Sequence, residues 1–344
     1  MLALARRLLP VLQLTRMALV FTAIADSAAE LLLRAKWESL ADDAAHPYYH
    51  FVSTADVLAI AVMSIGMYGF GMSLNDIIDR RRDQQLAAHR PLPSGRIGLA
   101  AAHVICVLLA LMSLAGGAWY AALPGNEWKS VLLVLWTILL IIFYDSAGKY
   151  LVAPGLLTLG LIRFFHATVP APHLPLVWHP LVLLNHVAIL STVAYRWEDK
   201  RPPLTRIHYA GVFGGLAFMD LLALALVWDR RTTRGAAGAG FADALWVRPA
   251  LLLPILAGVA FALIGWQIRR RSSNVRAAGQ NLMLYGLLWL IVYDACFVGG
   301  YVGWLPAVLV LLLAPVAYML VQVMRWWSKL AALSQPPEFK RAGT

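Results

Sequence analysis

A cluster of polar and acidic side chains lies between residues 75 and 83, directly after a long apolar segment. Asn75, Asp76, Asp79 and Asp83 follow one another at steps of one, three and four residues. If a helix continues through this segment, these steps put all four side chains on one face. Carboxylates crowded on one face repel each other, and a divalent cation removes that repulsion. Because Mg²⁺ is typically held by a few carboxylates together with substrate phosphates, the pattern predicts a magnesium site.

Arginines accompany these acids in the same stretch, and they are Arg80, Arg81, Arg82, Arg90 and Arg96. Guanidinium groups match phosphate oxygens in a bidentate fork, so acids and arginines together favour a metal-bridged diphosphate site. The competing interpretation is a solvated charged loop whose aspartates partly neutralise the neighbouring arginines. Two prolines within residues 90–96 prevent the helix from continuing, which predicts a rigid turn there.

The chain that must position these side chains is strongly apolar. Of its 344 residues, 60% are hydrophobic and only 14% are charged, whereas about a quarter of a soluble domain is charged. Stretches long enough to cross a bilayer are predicted at 9–33, 52–73, 99–122, 130–147, 155–170, 180–195, 208–228, 250–268, 281–301 and 304–326. The fifth and sixth are short and the last two could form one re-entrant pair, so we expect nine to ten transmembrane helices. The prediction is one all-α membrane domain over residues 1–333, followed by a cytoplasmic tail over residues 334–344.

The net charge of +11 reflects membrane topology rather than nucleic-acid binding. With the N-terminus in the cytoplasm, most of the 29 Lys and Arg residues fall in cytoplasmic segments, as the positive-inside rule requires. This orientation also puts the acidic segment on the cytoplasmic side. Cys106 and Cys296 both lie in predicted spans, which argues against a disulfide framework and against a zinc site.

The stretch NDIIDRRRD at residues 75–83, followed by RPLPSG at residues 90–95, resembles the NDxxDxxxD and RPLPSG signature of the UbiA superfamily of intramembrane prenyltransferases. The first span is similar to that family in its Arg16, and the close of the fourth span in its Tyr144 and Lys149. The resemblance extends to about residue 206 and is weak beyond it. It implies a helical bundle around a central lipid-open cavity. It also implies Mg²⁺-dependent transfer of a prenyl group from a polyprenyl diphosphate to a lipophilic acceptor, with an aromatic acceptor favoured.

The resemblance further implies a second acidic segment after the sixth span, where this chain has YRWEDKR at residues 195–201. Glu198 and Asp199 are adjacent, whereas the family has acids four positions apart. Because adjacent helical residues point about 100° apart, we expect only one of the two to reach the metal. The implied Mg²⁺ ligands are Asn75, Asp76, Asp79, Asp83, Glu198 and Asp199, all but the asparagine also being expected catalytic residues. The implied substrate contacts are Arg16, Arg90, Tyr144, Lys149, Arg163 and Tyr195.

Ionisable residues within predicted spans are functional candidates by default. Arg163, in the fifth span, either faces an acceptor or forms an ion pair between helices with Asp220 or Asp294. Asp26 and Glu30, near the outer end of the first span, are expected to be interfacial.

Two other classes of function compete with a prenyltransferase. A CDP-alcohol phosphotransferase also uses aspartates and Mg²⁺ at a membrane edge, but it needs a DGxxAR run that the sequence does not contain. A catalytically degenerate lipid-binding or transport relative would keep the first acidic segment and lose turnover, and the irregular second segment favours it. The expected partners are a prenyl diphosphate, a hydrophobic acceptor and membrane lipid.

Overall fold

The structure is a computed structural model that describes residues 2–41, 52–88, 90–234 and 240–333. The described residues form helices and no strands, as predicted. The helices are α1 (Leu2–Leu14), α2 (Val20–Ala41), α3 (Thr54–Ile78), α4 (Arg80–Leu86), α5 (Leu99–Ala122), α6 (Lys129–Ser146), α7 (Val152–Thr168), α8 (Trp178–Trp197), α9 (Arg206–Arg234), α10 (Phe241–Ala244), α11 (Leu252–Arg271), α12 (Val275–Tyr301), α13 (Trp304–Leu311) and α14 (Leu313–Leu333). The tail predicted at residues 334–344 lies outside the described residues.

Most of these helices suit a membrane. Within the described residues, seven helical segments are long and apolar enough to cross it, namely Thr54–Ile78, Leu99–Ala122, Lys129–Ser146, Arg206–Thr233, Pro249–Arg271, Val275–Tyr301 and Trp304–Trp327. A bent pair, Leu8–Leu14 with Met17–Leu40, is an eighth candidate. The two short predicted spans coincide with α7 and α8, which have 17 and 20 residues. The chain is therefore a multi-pass integral membrane protein with an all-α bundle.

The first predicted span is not one straight helix, which corrects the expectation for residues 9–33. The two parts of the bent pair meet at 59°, and the break lies at Arg16, whose backbone φ of 46° is left-handed. This conformation costs a non-glycine residue roughly 1–2 kcal/mol. An apolar run in a sequence predicts a span but contains no signal for such a break. Because of it, the Arg16 side chain reaches the end of α3.

Close packing holds α3 in place along its length. The helix begins at a capping box in which Ser53 and Asp56 bond each other's backbone N–H groups. A Cβ atom added at Gly66 would lie 2.5 Å from a backbone nitrogen of α5, and one added at Gly116 would lie 2.5 Å from the backbone nitrogen of Met63. Small residues of this kind let membrane helices approach backbone to backbone. The position of the acidic segment at the end of α3 is therefore set by the contact with α5.

The helices α3 and α5 form one half of the bundle. The other half contains α8, which packs against both α7 and α12. α2 contacts α3, α7, α12 and α14, so it borders both halves. Its small residues Ala25 and Ala29 are fully buried against Ile291 and Val298 of α12. The polar side chains of Thr22, Asp26, Ser27 and Glu30 on α2 are fully buried, so they face other helices rather than lipid or water.

Candidate active site

The three predicted aspartates share one buried face at the end of α3. Asp76 is in the last turn of α3, Asp79 joins α3 to α4, and Asp83 is in the first turn of α4. The N–H of Asp79 donates to the Asn75 carbonyl at 2.9 Å, and the N–H of Asp83 donates to the Asp79 carbonyl at 2.8 Å. Helical spacing is thus kept across the junction. The residues Asp76, Asp79 and Asp83 are only 4%, 4% and 3% exposed, so they face the protein and not bulk water.

Two arginines from different parts of the chain contact these acids. Nη1 of Arg90 lies 2.5 Å from Oδ2 of Asp83 and 3.5 Å from Oδ1 of Asp76. Nη2 of Arg16, which follows the break after α1, lies 3.5 Å from the same Asp76 oxygen. Asp76 is therefore shared between the N-terminal segment and the turn that follows α4.

Asp79 is contacted by two further cations. Nζ of Lys149 lies 2.7 Å from Oδ1 of Asp79, and Nη2 of Arg82 lies 2.7 Å from Oδ2. Lys149 belongs to the short 3-10 helix Gly148–Tyr150 between α6 and α7. The Lys149 side chain is buried, whereas the Arg82 side chain is 58% exposed. The carboxylate is thus held by lysine from the protein side and by arginine from the solvent side.

Asp145 belongs to this site, and the sequence reasoning missed it. Nδ2 of Asn75 donates to Oδ1 of Asp145 at 2.9 Å, and Nζ of Lys149 lies 3.7 Å from the same oxygen. Asp145 is 1% exposed. Tyr144 directly precedes Asp145 in the last turn of α6. The available signal was the position of Asp145 four residues before Lys149, a step that puts two helical side chains on one face.

The predicted turn after α4 closes the site and ties it to α1. The Ser94 N–H donates to the Arg90 carbonyl at 3.0 Å, and the Ser94 hydroxyl donates to the same carbonyl at 2.6 Å. Gly95 has a φ of +73°, a conformation that glycine adopts without steric cost. Nη1 of Arg96 then donates to Oε1 of Gln13 at 2.8 Å. The turn thereby keeps Arg90 in contact with the aspartates, and its Arg96 bonds to the end of α1.

The second acidic segment follows the end of α8. Glu198 caps the end of α8 and pairs with Lys200 at 3.1 Å, while Asp199 is exposed with a φ of 51°. Both acids line a cleft of about 560 Å³ together with residues 273–276. Among the hydrogen bonds and salt bridges of the described residues, none joins Glu198 or Asp199 to the first acidic segment. Asp199 is exposed, whereas Glu198 is partly buried; which of the two reaches a metal stays a prediction.

Two predicted substrate contacts have partners within the protein. The Tyr195 hydroxyl donates to a backbone carbonyl at 2.8 Å, beyond the end of α8. Nη1 of Arg163 donates to Oδ2 of Asp26 at 2.6 Å. An ion pair between helices, one of the two alternatives for Arg163, is therefore present. Its hydrogen-bonded partner is Asp26 and not Asp220 or Asp294.

Asp26 and Glu30 are not interfacial, which corrects a second expectation. Both are 0% exposed. Oε2 of Glu30 lies 2.8 Å from Nδ1 of His179, whose Nε2 lies 2.8 Å from Oδ1 of Asp294. The reason is the position of α2 between the two halves of the bundle. An apolar run does not reveal which helices will surround it.

The donor set at the end of α3 suits a hard cation, because it consists of carboxylates and one amide. Among the described residues, no three His, Cys, Asp or Glu side chains converge closely enough to hold a metal ion by themselves. Mg²⁺ commonly takes only one or two carboxylates from the protein and completes its shell with water and substrate phosphate. The residues present therefore fit Mg²⁺ by donor chemistry, on condition that other oxygen ligands join them.

Comparisons with known proteins agree with the fold. The model of the UbiA prenyltransferase family matches residues 44–277, whereas a comparison with curated proteins gives no match. A solved structure of digeranylgeranylglyceryl phosphate synthase shares 14% sequence identity, with 86% of this chain and 99% of that chain covered and a TM-score of 0.54. This likeness shows a shared fold.

Two archaeal UbiA homologues of solved structure are also similar. The homologue from Aeropyrum pernix K1 has 18% identity and a TM-score of 0.46, with 78% of this chain and 96% of that chain covered. The homologue from Archaeoglobus fulgidus has 13% identity and a TM-score of 0.48, with 84% and 99% covered. The family model matches more than half of the residues of this chain, so the chain belongs to the UbiA prenyltransferase family.

Proposed function

We propose that this protein transfers a prenyl group from a polyprenyl diphosphate to a lipophilic acceptor, with an aromatic one favoured, releases diphosphate and uses Mg²⁺ as its cofactor. Family membership supports the reaction class. The observation that carries the proposal is the buried face of Asp76, Asp79 and Asp83, contacted by cations from several distant segments. Acids and cations gathered at a membrane edge suit a metal-bridged diphosphate.

In this proposal the cations on this face contact the aspartates first and the substrate phosphate afterwards. Without substrate, Arg16, Arg90 and Lys149 neutralise the aspartates. When a prenyl diphosphate binds, these three cations turn to its phosphate oxygens, and the aspartates become available to the metal. Mg²⁺, when bound there, supplies charge neutralisation to the leaving diphosphate.

The chain's own residues then promote the breaking of the bond between the prenyl carbon and the diphosphate oxygen. Once they have turned to the bound diphosphate, the cations stabilise its developing negative charge without further reorganisation while the bond breaks. Lys149 suits this role best, because its side chain is only 8% exposed and charges act more strongly where water is excluded. The acceptor attacks the prenyl carbon as the bond from that carbon to the diphosphate oxygen breaks, and the proton that the acceptor loses passes to the released diphosphate. Exclusion of water from the site prevents hydrolysis of the prenyl group.

The acidic face is proposed to lie on the cytoplasmic side of the membrane. Successive spans alternate in direction, so the arginines at residues 80–82 and those at residues 269–271 belong to the same end of the bundle. An excess of positive charge at one end is typical of the cytoplasmic side. The N-terminal helix α1 lies at this end as well, next to the turn at residues 90–96.

A catalytically degenerate lipid-binding or transport relative is the second candidate function. The irregular second acidic segment favours it, because Glu198 and Asp199 are adjacent in the sequence and not four positions apart. Such a protein would bind prenyl diphosphate and Mg²⁺ without releasing diphosphate.

The test uses the purified full-length chain with radiolabelled prenyl diphosphates of several lengths, Mg²⁺ and a panel of lipophilic acceptors. We expect a labelled lipid product and equimolar diphosphate, and we expect Asp76→Ala and Asp79→Ala each to abolish both. Asp243→Ala is the matched control, because this acid is 68% exposed and belongs to a connecting segment far along the chain. Full activity in either aspartate variant would contradict the metal assignment. Binding of labelled substrate without diphosphate release, whatever the acceptor, would favour the degenerate relative.

A further inference from the structure

A second group of ionisable side chains lies inside the bundle. It consists of Asp26 and Glu30 on α2, Arg163 on α7, His179 on α8 and Asp294 on α12. All of these side chains except that of Arg163 are 0% exposed. We call these five residues the buried ion cluster. Because a charge buried in a membrane protein is costly unless an opposite charge neutralises it, the charges within the cluster should balance.

Hydrogen bonds identify the positive charges of the cluster. Nη1 of Arg163 donates to Oδ2 of Asp26 at 2.6 Å. Nδ1 of His179 lies 2.8 Å from Oε2 of Glu30, and its Nε2 lies 2.8 Å from Oδ1 of Asp294. A histidine ring donates through both nitrogens only when it is protonated. The cluster therefore has two positive charges, one on the arginine and one on the histidine.

The three acids of the cluster would bring one negative charge too many. If Asp26, Glu30 and Asp294 were all ionised, three negative charges would face two positive ones. A metal ion does not supply the missing positive charge, because no three His, Cys, Asp or Glu side chains in the described part of the chain converge closely enough to hold one. The balance therefore requires one additional proton.

The other titratable side chains near the cluster do not supply this charge either. Tyr68, His166 and Cys296 interact electrostatically with members of the cluster. Tyrosine and cysteine side chains carry no positive charge in any protonation state. Nε2 of His166 lies 3.1 Å from the hydroxyl of Ser64, and its Nδ1 has no partner among the described residues. No acid thus favours a positive charge on this ring, which lies near the Arg163 guanidinium.

Two unpartnered oxygens indicate where the additional proton binds. Oδ1 of Asp26 and Oδ2 of Asp294 are buried, and no donor of the described residues reaches either of them. The two carboxyl groups are nevertheless within hydrogen-bonding range of each other. Their other oxygens bond to Arg163 and His179, so the unpartnered oxygens are left for this contact. Two ionised carboxylates offer acceptors only and repel each other, whereas one proton between them forms a hydrogen bond.

From this arrangement we infer that Asp26 and Asp294 form a proton-binding site inside the bundle and share one bound proton. The proton balances the charges of the buried ion cluster and joins α2 to α12. The inference does not depend on the proposed prenyl transfer. The competing occupant is a water molecule between two ionised carboxylates, which would leave the excess negative charge in place.

The first test measures reversible unfolding of the full chain in SDS mixed micelles between about pH 5 and pH 6, where an unfolded aspartate is ionised and an unfolded histidine is largely protonated. A protonated His179 thus keeps its proton on unfolding, whereas the shared proton is released. Release of one proton raises the unfolding equilibrium constant about tenfold per pH unit. The shared proton therefore makes the wild-type protein less stable as the pH rises.

Two variants replace the shared proton by an amide N–H of nearly equal shape, namely Asp26→Asn and Asp294→Asn. In each variant we expect the unfolding equilibrium constant to rise about tenfold less per pH unit than in the wild type, while the contributions of all other groups cancel in the comparison. Asp243→Asn is the control, because this acid is 68% exposed, and it should keep the wild-type pH dependence. The same pH dependence in the wild type and in both cluster variants would overturn the inference, as would an equal reduction in the control.

Infrared spectroscopy of the folded protein at neutral pH is the second test. A protonated carboxyl group has a carbonyl stretching band that an ionised carboxylate lacks. We expect the wild type to show such a band, and we expect isotope labelling of its aspartates to shift it. The band should weaken in Asp26→Asn and in Asp294→Asn and stay unchanged in Asp243→Asn. If the wild type has no such band from aspartate, both carboxylates are ionised and the inference fails, even where the asparagine variants do not fold.

Discussion

Asp79 offers an internally controlled test of how burial sets the strength of an ion pair at this site. Lys149 and Arg82 each lie 2.7 Å from one of its oxygens, but the lysine side chain is 8% exposed and the arginine side chain 58% exposed. We predict that Lys149→Met destabilises the protein much more than Arg82→Met does. Both substitutions remove one positive charge from the same carboxylate and keep an unbranched side chain.

The expected difference follows from the two environments. Exposed ion pairs contribute about 0.2–1 kcal/mol, so the loss of Arg82 should lower the free energy of unfolding by less than about 1 kcal/mol. Removal of one partner from a buried pair costs about 3–5 kcal/mol. Because Asp79 would still have Arg82, we take the lower limit of roughly 3 kcal/mol for Lys149→Met. A difference of about 2 kcal/mol is roughly a 30-fold difference in the folding equilibrium constant.

The assay is reversible unfolding of the purified protein in mixed micelles of rising SDS content, followed through the fluorescence of its 13 tryptophans. Mg²⁺ and prenyl diphosphate are left out so that only contacts within the protein are measured. The double variant should lose more than the sum of the single losses, because it leaves a buried carboxylate with neither cation. Equal losses in the two single variants, or a larger loss in Arg82→Met, would refute the reasoning from burial.

Two further predictions concern features that the sequence did not reveal. Asp145→Ala should lower the rate of diphosphate release about 10- to 100-fold, the effect of losing an outer-shell partner of a metal ligand. The reason is that Asn75 would lack the carboxylate that accepts its hydrogen bond and orients it. An unchanged rate would show that Asp145 has no part in the site. Gly116→Ala should lower the free energy of unfolding by about 1–3 kcal/mol, because its Cβ would lie 2.5 Å from the Met63 nitrogen. Gly214→Ala is the control, because a Cβ added there meets nothing within 4 Å. In the same SDS titration it should leave the free energy of unfolding unchanged or raise it by up to about 1 kcal/mol. Equal changes in the free energy of unfolding at both glycines would contradict the close contact of α3 and α5.

The acidic face could be predicted because its information is local. The steps between Asp76, Asp79 and Asp83 are helical whether or not the rest of the chain is known, and two prolines end the helix wherever they occur. The contact of Lys149 with Asp79 joins residues 70 positions apart, and no spacing rule reaches that far. Lys149 entered the prediction only through the family resemblance. Asp145, which that resemblance did not include, was missed even though it lies one turn away.

The buried pair of Arg163 and Asp26 marks the other limit of reasoning from the sequence. The cost of a charge in lipid requires that Arg163 have an acidic partner, and Asp220 and Asp294 met that requirement as well as Asp26 did. The structure distinguishes them by neighbouring helices, since Asp220 accepts a hydrogen bond from Asn185 at 2.8 Å and Asp294 bonds to His179. The pair that forms joins residues 137 positions apart, and it exists because α2 borders α7. Electrostatics thus dictates that every charge in the bundle finds a partner, whereas packing chooses the partner.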